Sequence, residues 1–146
     1  MPRNAVAYDD DFFAWTQEQA RLLRAGDLAD VDVENLAEEI ESMGKSLRRE
    51  LRNRLGVLLV HLLKWGYQPT FRSRSWSNTI REQRKQVAGL IDEAPSLAPL
   101  LANELPGIYE SAVTNASSET GLAETSFPIG CPYTPEQILS EDFLPE

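Results

Sequence analysis

Between Asp32 and Tyr67 the residues Leu36, Ile40, Met43, Leu47, Leu51, Leu55, Leu58, Leu62 and Trp65 recur in steps of three or four. The mean step is about 3.6 residues, the period of an α-helix and not the two-residue period of a strand. The phase is unbroken across Gly44. One helical glycine costs about 1 kcal/mol relative to alanine, too little to break a helix whose apolar face is buried along its length. One helix over residues 32–67 follows, roughly 50 Å long. The rest of the chain is expected to pack on it.

The flanking segments read as shorter helices. Residues 8–25 carry Phe12, Trp15, Leu22 and Leu23 at helical spacing, with Asp9, Asp10 or Asp11 as N-cap and Gly26 as the stop. Pro69 ends the long helix near Tyr67. A third helix over 76–94 starts on Ser75 or Ser77, and Pro95 closes it. A fourth spans 97–119 with Ser96 as cap and a kink or break near Pro106. Residues 122–134 form an extended arm, with Phe127, Ile129, Cys131 and Tyr133 alternating like a strand laid on the bundle. Thr134-Pro135-Glu136-Gln137 opens a short helix over 135–140. The fold class is therefore all-α: a single-domain helical bundle over 1–146, organised on one long central helix, with an extended C-terminal arm and a short terminal helix.

The net charge of −9 is unevenly spread. Residues 1–44 hold three basic and eleven acidic side chains, residues 45–85 eleven and two, and residues 86–146 none and ten. The expectation is self-complementarity, with acidic elements folding beside the basic helix. The competing reading is nucleic-acid binding through segment 45–85, which the acidic flanks disfavour. Cys131 is the single cysteine, so an intramolecular disulfide is excluded and a reducing, cytoplasmic setting is expected. Val57–Val60 is the longest apolar run, far short of a membrane span, and the first residues show no secretory leader.

Four polar residues fall on or beside the apolar face of the long helix: Glu39, Glu50, Arg54 and His61. Glu50 and Arg54, at i and i+4, pair directly. One reading is a buried ion pair and a core histidine that fix register. The other is an enzyme or metal-binding pocket of Glu39, Glu50 and His61, joined by Glu119 from the fourth helix, with His61 as proton carrier. The Glu-x-x-His di-iron pattern is absent, since Leu58 stands three before His61. No metal and no cofactor are expected, and there is no phosphate loop, dinucleotide turn or nucleophile elbow. Trp65, Tyr67, Phe71, Arg72, Arg74 and Trp76 gather aromatic and basic side chains at one corner. They read as a plug on the core end, as a protein-binding surface or as a nucleic-acid contact.

Several blocks together resemble a known family: Tyr8 to Trp15 with Gln17 to Leu23, Asn35 to Glu41, His61 to Trp65 with Gln68-Pro69, Ser73 to Trp76 with Thr79-Ile80 and Gln83-Arg84, and Phe127-Pro128 with Cys131-Pro132-Tyr133. They are similar to the bacterial family called domain of unknown function 29. The resemblance covers nearly the whole chain and implies a compact, mainly α-helical single domain. It implies no activity, so no catalytic residues carry over. The functional expectation is a small cytoplasmic, non-catalytic protein–protein interaction module with a protein partner, of which an antitoxin-like role is one form.

Overall fold

The computed structural model describes residues 7–146. Among these the order is α1 (Phe12–Ala25), α2 (Val33–Tyr67), α3 (Arg74–Glu93), α4 (Leu97–Thr120) and α5 (Pro135–Leu139). Short 3-10 turns at Leu28–Asp30, Pro69–Phe71 and Glu124–Ser126 connect them, and there is no strand among the described residues. The chain is all-α and α2 is one continuous helix of 35 residues. It contributes to two compact units, Met1–Lys45 and Ser46–Glu146.

In the first unit the caps dictate the ends of α1. The Asp11 carboxylate accepts from the Ala14 N–H at 3.0 Å. Gly26 adopts φ 77°, the left-handed conformation that glycine reaches without penalty, and its N–H returns to Leu22 and Leu23 carbonyls. The helix therefore starts at Phe12, not at residue 8 as expected; Tyr8–Asp10 form a turn before it. Trp15, Gln19 and Leu22 are its buried side chains. Trp15 Nε1 donates to Asp32 Oδ2 at 3.0 Å, and the Asp32 N–H donates to Gln19 Oε1 at 2.7 Å. Asn35 donates to the same Asp32 carboxylate at 2.8 Å. The start of α2 is thereby tied to the middle of α1.

The core lies in the second unit. From α2 come Leu51, Leu55, Leu58, Leu59, Leu62 and Leu63; from α3, Ile80 and Val87; from α4, Leu101, Leu105, Ile108, Tyr109, Ala112 and Ala116. Phe127, Tyr133 and Ile138 close it from the C-terminal segment. Full burial of each large side chain is worth roughly 1.5–3 kcal/mol, which is where the stability of this unit resides. Thr134 and Gln137 form the expected capping box on α5. Arg84, 4% exposed, crosses from α3 and donates Nε to the Ile138 carbonyl at 2.8 Å and Nη2 to that of Gln137 at 3.3 Å.

Several sequence expectations need correction. The apolar row of α2 is not buried along its length: Ile40, Met43 and Leu47 are exposed, and burial begins at Leu51. The cap of α3 is Ser73, whose hydroxyl accepts from the Trp76 N–H, because the chain turns into the helix directly after Arg72. Ser96 makes no side-chain cap on α4, since its backbone is already helical. Helix α4 is not broken at Pro106. Pro106, Gly107 and Ala102 are all exposed, so the carbonyl that loses its partner faces solvent. The arm is not strand-like, and Ile129 is fully exposed instead of lying on the bundle. Cys131 is half-buried; its Sγ donates to the Tyr133 carbonyl at 3.4 Å, and burial pushes the thiol up.

Candidate functional site

The polar residues beside the apolar row of α2 each find their own partner. Glu39 accepts from the Tyr8 hydroxyl, which that bond and burial together push up to about 12. Tyr8, Phe12 and Trp15 form an aromatic cluster with centroids 4.8 to 5.7 Å apart. Glu50 takes Arg54 Nε at 3.1 Å, and Arg54 Nη1 reaches Gln83 Oε1 at 3.3 Å. These three line an open groove of about 420 Å³ with Arg49, Asn53 and Val57. His61 Nδ1 lies 2.8 Å from the Val57 carbonyl. A carbonyl only accepts, so Nδ1 carries the proton in this contact. Glu119 pairs with Lys64 at 3.1 Å. The structure thus brings Glu50 and Arg54 together, while no hydrogen bond joins any two of Glu39, Glu50, His61 and Glu119.

The α4 carboxylate with the most enclosed partnership is Glu104, which the sequence did not single out. Arg48 Nη2 stands 2.7 Å from its Oε1 and Arg52 3.9 Å. The hydrogen bond from Arg48 holds this carboxyl below the usual range. Its Oε2 is buried and has no hydrogen-bond partner. With Lys64–Glu119 this places acidic α4 side chains on basic α2 side chains, as the charge segregation of the sequence suggested.

At the corner after α2, Arg72 stacks over the Trp65 ring at 5.1 Å and donates to the Trp65 carbonyl at 2.8 Å. Lys64 sits over Trp76 at 4.9 Å. Trp65 and Trp76 are half-buried, Tyr67 packs edge-on against Phe127, and Phe71 and Arg74 are exposed. None of the six corner side chains is fully buried: Trp65, Arg72 and Trp76 are half-buried, and Tyr67, Phe71 and Arg74 are exposed.

The exposed apolar side chains lie elsewhere. Phe12, Phe13, Leu23, Leu28, Val33, Ile40, Met43 and Leu47 are all exposed, whereas Trp15 and Leu22 are the buried apolar residues of α1. The signal was present in the sequence as the α2 row itself. What was missing was any way to know that no element buries the turns from Ile40 to Leu47. Among the described residues no group of three or more His, Cys, Asp or Glu is placed to hold a metal ion. No helix among them is long and apolar enough to cross a membrane.

Nothing among curated proteins or solved structures matches the chain. A family model does, over residues 7–144, under the description "Domain of unknown function DUF29". With nearly the whole chain matched, the protein belongs to the DUF29 family.

Proposed function

We propose that the chain is a non-catalytic protein–protein interaction module acting in the cytoplasm, and that its contact surface is built from the exposed apolar side chains of residues 12–43. The observation that carries this reading is the concentration of exposed Phe, Leu, Ile, Val and Met side chains there. Large apolar side chains left exposed in number are a mark of a binding surface. The separate engagement of Glu39, Glu50, His61 and Glu119 supports a role without catalysis, because acid–base groups must reach one another directly or through one water. The nucleic-acid reading loses support from the basic residues already engaged: Arg48 and Arg52 with Glu104, Arg54 with Glu50, Lys64 with Glu119, and Arg84 inside the core.

The test is affinity capture of the tagged full chain from its native cells, alongside a Phe13→Asp/Met43→Asp variant. A stoichiometric protein, either another species or a second copy of the chain, accompanies the wild type and is lost from the variant. Recovery of the wild type alone, or a partner indifferent to both substitutions, overturns the reading.

A further inference from the structure

Between α3 and the C-terminal tail lies a cavity of about 410 Å³ that the interaction reading does not use. Ile80, Arg81, Arg84 and Lys85 line it from α3, and Glu141, Asp142 and Leu144 from the tail. All of them belong to the second compact unit. The volume is in the range of small-molecule sites.

Arg84 is 4% exposed, and a buried charge is costly unless an opposite charge and hydrogen bonds answer it. The Nε and Nη2 side of its guanidinium is taken by the Ile138 and Gln137 carbonyls, which carry no net charge. No ion pair among the described residues includes it. Nη1 makes no hydrogen bond among those residues, yet it is not sealed, because the one fully buried, partnerless side-chain nitrogen or oxygen among them is Glu104 Oε2. Two N–H groups on Nη1 therefore remain for an anion.

An anion alone does not suit the rest of the cavity. Glu141 and Asp142 line it too, and they repel an anion and attract a cation. On the α3 side Lys85 has no hydrogen bond or ion pair among the described residues, and Arg81 reaches the neutral Asn78 Oδ1 at 3.3 Å. No ion pair joins either cation to Glu141 or Asp142, so unlike charges line one cavity without meeting across it. A molecule carrying both signs answers both walls at once, and Ile80 and Leu144 offer it apolar contact. We propose that this cavity binds a small zwitterion with an apolar body, the chemistry of an apolar α-amino acid. Its carboxylate goes to Arg84 with Arg81 and Lys85, its ammonium to Glu141 and Asp142, and its side chain to Ile80 and Leu144.

The experiment is calorimetric titration of the full chain with L-leucine, L-valine, L-methionine and L-phenylalanine in turn. At least one binds, with a micromolar to millimolar Kd. The tightest is then compared with its deaminated acid and its decarboxylated amine. Each analogue loses at least about 10-fold in affinity, the worth of one hydrogen bond to a charged group. An Arg81→Gln/Lys85→Gln variant and a Glu141→Gln/Asp142→Asn variant each weaken binding of the parent by about 10-fold as well. Both keep their helical circular dichroism, because all four side chains are exposed. Arg84 stays intact in both, since its bonds to Ile138 and Gln137 hold the tail. No binding by any of the four amino acids, an analogue that binds as tightly as its parent, or binding indifferent to either variant overturns the site. Loss of a captured protein on Phe13→Asp/Met43→Asp bears on the interaction reading alone, because neither residue lines this cavity.

Discussion

Arg84 shows what a single buried cation does when no carboxylate answers it. Its fork is spent on two carbonyls at the end of α5, and burial lowers its pKa. Replacement by methionine keeps the packing volume but leaves both carbonyls without their donor. Arg84→Met is expected to lower stability by about 2 kcal/mol, with Arg84→Lys losing less; urea unfolding measures both, and equal midpoints for all three proteins would refute the latch. Arg84 was readable only in outline. It stands in phase with Ile80 and Val87, as Gln19 does with Trp15 and Leu22, and a polar residue in step with an apolar row is the one sequence sign of a buried bridge. Asp32 carries a pH consequence. Hydrogen bonds from Asn35 and then Trp15 hold its carboxyl below the ordinary aspartate range. The unfolded chain therefore takes up protons first, and the stabilisation, complete above the unfolded value, is lost as pH falls through the folded value. Asp32→Asn should flatten the fall of Tm with acid; an unchanged slope would remove Asp32 from the account.

At the level of the element, α2 makes the lesson plain. Leu47 and Leu51 are equivalent by period and by chemistry, yet one is 41% exposed and the other fully buried. Periodicity states the phase of a helix and carries no information on which turns other elements cover. The same limit applies to Ser73, Ser75 and Ser77 around the start of α3: any of them has the chemistry of a cap, and the turn after Arg72 decides for Ser73. Two glycines in α2 separate propensity from packing. A Cβ at Gly44 would meet nothing within 4 Å, whereas at Gly66 it would meet Pro145 Cβ at 3.2 Å. Gly44→Ala is expected to stabilise by about 0.5–1 kcal/mol through helix propensity alone. Gly66→Ala should gain less or lose stability as the tail is displaced. Denaturant midpoints compare them, and a larger gain at Gly66 would contradict the packing.

For the molecule as a whole, the two units differ in what holds them. The second has a contiguous core contributed by α2, α3, α4 and the C-terminal segment. The first relies on Trp15, Leu22 and the polar knot at Asp32. Hydrogen exchange should therefore be faster across 33–47 than across Leu51–Leu63 of the same helix. Uniform protection along α2 would count against it. The all-α class and the helix order were readable because period, caps and prolines are local. The Glu50–Arg54 pair was readable for the same reason, being four residues apart. The Glu104 contacts with Arg48 and Arg52 were not, because they join residues more than fifty positions apart.

The corner after α2 is closed by contacts of still longer range. Arg72 donates to the Pro145 carbonyl, 73 positions away, and Pro145 lies against Gly66. A ribosome adding about 5–20 residues per second needs roughly 4–15 s to travel that far. For that interval the nascent chain presents Gly66 and Arg72, beside the aromatic Trp65 and Tyr67, with the Pro145 contacts not yet made. A chaperone that grips aromatic segments has its opening then, and a message that stalls before Pro145 leaves that surface uncovered.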